Sequence, residues 1–148
     1  MDKSRPIHPH FQHFLDFKDS ELIELYTDLR QFMFSICPDA NELLYHTHAL
    51  TSGYSLSDRV SETFCLIPIY TKHLNLGFRK GTLLDDPTGL LKGTGKLMRH
   101  IPITTKSDYR NNLEVEALLR RSIQFELEEM DMAKKKEGQT ISKIKLTK

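Results

Sequence analysis

Four strand-like runs crowd into residues 42–78, and the gaps between them leave room only for reversals. Residues 42–47 set Leu43, Tyr45 and Thr47 against Leu44, His46 and His48. Residues 51–56 form a second short run, interrupted by Gly53. Residues 63–70, TFCLIPIY, are almost continuously apolar and rich in β-formers, the pattern of a strand buried on both faces. Pro68 removes one ladder donor there, which predicts an edge or a bulge. Residues 73–78 alternate cleanly, with Leu74, Leu76 and Phe78 on one side and His73, Asn75 and Gly77 on the other. A parallel pair needs a crossover of about a dozen residues or more, so these runs predict an antiparallel meander.

Helical periodicity brackets the meander. Leu22, Leu25, Tyr26, Leu29, Phe32, Met33 and Ile36 recur at helical spacing over residues 20–36, with Asp19 or Ser20 as cap and Pro38 as terminator. A second helix is expected over residues 108–132, with Leu113, Leu118, Leu119, Ile123, Leu127 and Met130 on its apolar side. Arg120, Arg121, Glu126, Glu128 and Glu129 lie on its polar side. Between meander and second helix, Asp86 and Pro87 signal a short helix or turn through Leu91, and residues 97–103 read as a last strand. Helix, strands, helix predicts an α+β domain: an antiparallel sheet of about four to six strands with an N-terminal and a C-terminal helix packed on one face. The expected divisions are an N-terminal arm (1–18), one domain (19–133) and a flexible basic tail (134–148). In the arm, Phe11, Phe14 and Phe17 share one side of a helical turn and are expected to dock on the body. His8, His10 and His13 are interleaved with them, a loose spacing for a metal cluster.

Composition narrows the function classes. A chain of 148 residues fits one domain and needs neither disulfide nor metal for stability. No apolar run nears the roughly 20 residues of a membrane span, and the first residues lack the apolar segment of a secretory signal. Cys37 and Cys65, far apart and in apolar surroundings, read as reduced buried thiols of a cytoplasmic protein. From Lys134 onward six lysines face one acid. The tail is thus +5 and the remainder −4 (1 − 5), which is not the footprint of a nucleic-acid binder.

The densest chemistry lies in residues 73–103. Gly93, Thr94, Gly95 and Lys96 suggest a phosphate loop, but a true one is GxxxxGK followed by Ser or Thr. Leu90 occupies the place of its first glycine, and Leu97 the place of the magnesium-binding hydroxyl. Two readings stay open: a tight turn that needs glycine at positive φ, or a nest of turn amides that binds an anion together with Lys96 and Arg99. His73, Asn75 and His100 come from strand-like segments and would form a polar patch beside that turn if the strands are neighbours; His46 and His48 share a strand face and could add ligands. No serine or cysteine sits in a nucleophile elbow, and capping accounts for Asp86 of the Asp85–Asp86 pair.

The stretch HLNLGFRKGTLLDDPTGLLKGTGKLMRHI, with YHTHALTSGYS before it, resembles the signature of the YdhG-like domain-of-unknown-function family. Bacterial members carry a similar His-x-Asn-Leu-Gly-Phe strand, Asp-Pro-x-Gly-Leu-Leu turn and Gly-Thr-Gly-Lys-x-x-Arg-His segment. The likeness spans residues 20–130 and is most specific over residues 73–100. It implies a small α+β domain somewhat like frataxin, with no established activity for most members and one branch described as a frataxin-like iron chaperone. Frataxin-type sites use a dense acidic ridge on the first helix. Here that helix offers Glu21, Glu24 and Asp28, mixed with Arg30, while Asp19 serves as cap. The expected function is a non-enzymatic binding protein for a small anionic ligand or an acidic partner segment. Its candidate residues are His73, Asn75, Gly93, Thr94, Gly95, Lys96, Arg99 and His100, with no catalytic residue and no cofactor assigned. The alternatives are an intracellular iron-binding chaperone and an assembly module whose phenylalanine arm or lysine tail docks on another subunit.

Overall fold

A computed structural model describes residues 5–146. The first four residues of the expected arm and the last two of the expected tail lie outside the described residues. Three α-helices and a six-stranded sheet make an α+β fold, with the helices packed against the sheet. The helices are α1 (Pro9–Leu15), α2 (Ser20–Ile36) and α3 (Leu113–Glu129). The strands are β1 (Asn41–His46), β2 (Leu50–Ser55), β3 (Thr63–Ile69), β4 (Leu74–Phe78), β5 (Arg99–Ile103) and β6 (Thr140–Ser142), in the order β5-β4-β3-β2-β1-β6. β1 to β5 form the antiparallel meander that the short gaps demand. β6 is the departure: it joins β1 in parallel, so the sheet is mixed, and part of the expected flexible tail is a strand. Parallel entry follows from the route, because α3 acts as the crossover between β5 and β6.

One face of each of β1 to β5 feeds a single core. Leu44, Leu50, Tyr54, Ile67, Ile69, Leu74, Leu76, Phe78, Ile101 and Ile103 cluster with Leu22, Leu25, Tyr26, Leu29, Phe32 and Met33 of α2 and with Val115, Leu118 and Leu119 of α3. From α1, Phe11 stacks on Tyr26 with ring centroids 5.1 Å apart, and Phe14 stacks on His46 at 4.8 Å. Phe17 does not dock as expected. It lies beyond the end of α1 and is 80% exposed.

A buried ion pair ties this core to both ends of the chain. Arg30 of α2 donates to both carboxylate oxygens of Glu42 on β1, at 2.6 and 2.8 Å. Tyr54 also donates to Glu42 (2.9 Å), and the remaining Arg30 donors hold the carbonyls of Arg5 and Pro6. Arg5 in turn binds the carbonyls of Pro38, Ala40 and Gln139.

Two local expectations need correction, on Pro68 and on the start of α3, and a third is decided between its alternatives. Pro68 is at neither an edge nor a bulge; it sits in β3, third from one edge. Bonded pairs on the β3–β4 ladder alternate from Tyr70–His73 (2.9 Å), so Pro68 faces Asn75 at a bonding position and has no N–H to give. The ladder lapses there, between Leu66–Gly77 and Ile69–Leu74. The bulge is instead at Phe64, where the β2–β3 register shifts between Tyr54 and Ser55. Of the short helix or turn expected through Leu91, the turn forms: the Asp86 carboxylate accepts the amides of Leu90 and Leu91 (both 3.0 Å), and Gly89 at φ 68 closes it. α3 begins at Leu113 rather than 108, because Asn112 caps it by accepting from Glu114 and Val115 while Asn111 is left-handed (φ 58).

Candidate functional site

The predicted patch lies where β4 meets β5. Leu74, Leu76 and Phe78 point into the core, so alternation turns His73 and Asn75 to the opposite face. The register sets Asn75 opposite Pro102 and Gly77 opposite His100, and His100 and Pro102 therefore share that face. The three polar side chains thus occupy one surface of neighbouring strands, as the patch required. His73 and His100 stand four residues apart along the ladder, roughly 13 Å at strand rise, with Asn75 between them.

Each has its own surroundings. The His73 ring stacks on Tyr70, with centroids 5.1 Å apart. The Asn75 Oδ1 atom is buried and finds no hydrogen-bond partner among the described residues. His100 titrates below its ordinary value, chiefly because burial disfavours the imidazolium and secondly because the charge of His73 opposes it. Both main-chain groups of His100 face outward to Lys92, at 2.8 and 3.0 Å. By alternation Pro102 also faces the outer edge, where its missing N–H costs no ladder bond.

The glycine turn divides its residues between structure and surface. Gly93 adopts φ 124, a conformation that L side chains rarely take, and lies against Arg99 and His100. Gly95 does not need positive φ. Arg99, expected to face an anion, donates instead to the carbonyls of Gly95 and Met98. Thr82 adds two more internal donors, its N–H to Leu97 O (3.0 Å) and its hydroxyl to Lys96 O (3.1 Å). The turn is therefore organised around its carbonyls, and Arg99 is their clamp. Gly81 makes room for it: a Cβ there would fall 2.5 Å from the Arg99 Cβ and 3.0 Å from its main-chain nitrogen. Thr94, Gly95 and Lys96 remain exposed. Neither Gly81 nor Thr82 is suggested by the sequence, since both act on residues at least 14 positions away.

The acids of α2 are variously engaged. Asp28 accepts from Arg110 through both oxygens (3.0 Å each) and from the Tyr109 hydroxyl. Burial alone would raise the Asp28 carboxyl, but those donors hold it below the usual carboxylate range. Glu24 pairs with Lys106 at 3.2 Å, and Glu21 is exposed. Among the described residues no three His, Cys, Asp or Glu side chains converge as a metal site. His46 is occupied by its stack on Phe14, and His48 is exposed. Both cysteines are free thiols: Cys65 is buried, which pushes its titration up, and Cys37 is half-buried.

One feature escaped the sequence. Between β3 and α3 a cleft with room for about one water is lined by Thr63, Phe64, Lys80, Leu84, Ser122, Phe125 and Glu126. Glu126, expected on the polar side of its helix, is only 6% exposed, with the Lys80 ammonium 3.8 Å away. Burial raises its carboxyl above the ordinary range; Lys80 opposes this, while Glu62 and Glu129 add to it. Compared with known proteins, the chain matches no family model, no curated protein and no solved structure.

Proposed function

We propose that the chain is a non-enzymatic binding domain that receives a small anionic ligand, or an acidic segment of a partner, on the β4–β5 face. The observation that carries this reading is the pair of exposed lysines, Lys92 and Lys96, on the segment that borders β5. Residues 72–100 hold six cations (Lys72, Arg79, Lys80, Lys92, Lys96, Arg99) against two acids (Asp85, Asp86) in a chain whose total is +1; of the six, Arg99 is spent on carbonyls, Lys80 lies beside Glu126 and Arg79 bonds Thr63. Lys92 pairs with half-buried His100 across the outer side of β5, and Lys96 is exposed in the turn that follows Lys92. An anion there would meet two mobile ammonium groups and a neutral imidazole able to donate. Arg99, Gly93 and Gly95 would shape the turn that carries Lys96, and His73 and Asn75 would set the far boundary of the patch.

Binding of this kind is electrostatic and weakens as salt screens it over a Debye length of about 8–10 Å. The test is a thermal-shift titration of the full chain with inorganic phosphate and, separately, with hexaglutamate. A saturable rise in Tm is expected with one of them, together with an affinity loss of about tenfold in the Lys92→Ala/Lys96→Ala variant, as for two charge-assisted contacts from exposed lysines. Equal shifts in that variant and the parent, or shifts that grow with added sodium chloride, would overturn the reading. Which titrant saturates tells a small anion from an acidic segment.

A further inference from the structure

The β1 edge is constructed to hold a strand. Asn41 at its start is buried and spends its side chain on the C-terminal segment: Nδ2 donates to Lys136 O at 2.7 Å, and Oδ1 accepts from Gln139 N at 3.1 Å. The main chain continues the grip. Glu42 N donates to Gln139 O (2.7 Å), Lys143 N to Leu44 O (2.7 Å), Gly138 N to Asp39 O (2.8 Å) and Lys136 N to Leu56 O (2.9 Å). Arg5, itself held by the body, adds a bond to Gln139 O at 3.0 Å. Almost all of these address backbone atoms, which any extended segment presents. Side-chain selection is confined to three positions. The Thr140 hydroxyl lies 3.3 Å from Glu42 Oε1, the Ser142 hydroxyl 2.8 Å from His10 Nδ1, and Ile144 is 8% exposed in the core cluster.

The segment arrives by an irregular tether after α3. Residues 130–139 contain neither α-helix nor strand, only one turn of tighter helix at Met132–Lys134. Gly138, at φ 72 with open space where a side chain would lie, is the pivot directly before Gln139 and β6. The grip begins at Lys136, so the free tether is residues 130–135, which extended span up to about 20–22 Å. From these contacts we infer that the β1 edge is a strand-binding groove, and that the C-terminal strand of a second copy can occupy it in place of the chain's own. Nothing in the groove distinguishes the two sources, because its donors and acceptors meet the same residues either way. Charge favours the encounter: the segment from Lys134 is +5 and the remainder of the chain −4 (1 − 5). The exchange is reciprocal, each copy giving a strand and receiving one. In dilute solution the tethered strand wins through its effective concentration, on the order of millimolar for a short linker.

The test uses the full chain and a fluorescent peptide of residues 136–146. Ile144→Asp weakens the chain's own strap and leaves the groove residues untouched. The peptide is expected to bind that variant saturably and about tenfold or more tighter than it binds the parent, whose tethered strand competes. The same peptide carrying Ile144→Asp should not bind. Equal binding to both chains, or none to a variant that keeps its native circular dichroism, would overturn the proposal. Should the variant fail to fold, hydrogen exchange on the parent decides. Amides of residues 139–144 exchanging ahead of β2 to β4 support a strand that leaves its groove, and their exchange only with global unfolding rules it out.

Discussion

Arg30 and Glu42 show what a single buried contact commits the molecule to. The pair is bidentate and almost fully buried, with Tyr54 and Thr140 satisfying further carboxylate lone pairs. Removing one partner leaves an uncompensated charge. Arg30→Met should therefore lower the unfolding free energy by about 3–5 kcal/mol in urea titrations, and Arg30→Met with Glu42→Leu should recover much of the loss. Glu126 behaves in the opposite sense. Its folded carboxyl is raised above the ordinary 4.5, so between that value and its folded pKa the native state binds more protons than the unfolded one. Stability falls as pH rises through this window. Glu126→Gln should raise Tm at pH 7 and leave it unchanged near pH 4, where both side chains are neutral; an equal gain at both pH values would contradict the assignment.

At the scale of elements, local pattern was enough for α2 and for β1 to β4. Their apolar spacing matches the face that packing uses, and their boundaries shift by a residue or two at most. Signals failed where a distant partner decides. β6 is a three-residue strand in a lysine-rich stretch, and only β1, about a hundred positions away, makes it one. Pro68 reads as an edge residue because the rule counts lost bonds; here a central strand tolerates one lapse opposite Asn75. In the candidate site the shared face of His73, Asn75 and His100 was legible from alternation. The inward turn of Arg99 was not, since its partners are carbonyls that sequence does not reveal. Two substitutions probe these elements by chemical denaturation. Asn112→Ala should cost about 0.5–2 kcal/mol through the lost cap of α3. Gly81→Ala should cost about 1–3 kcal/mol, because the added methyl overlaps the β5 backbone at Arg99.

For the whole molecule, the two chain ends matter more than their position in sequence suggests. Arg5 bridges the carbonyls of Pro38, Ala40 and Gln139 and lies 4.1 Å from the centre of the Phe34 ring. Arg5→Ala should therefore destabilise by about 1–3 kcal/mol, measured by urea unfolding, as expected for charge-assisted bonds lost with a cation–π contact. The two sheet edges also differ in kind. β5 is bridged by Lys92 at His100 and denies a donor at Pro102, so it offers an incoming chain no continuous row to pair with. Association through this sheet is thereby limited in number. A copy that exchanges its strand at β1 has filled that groove, while Pro102 interrupts the β5 edge. Such a pair is complete at two: each groove is filled by the partner's strand, and the sheet ends there on the outer side of the three-residue β6.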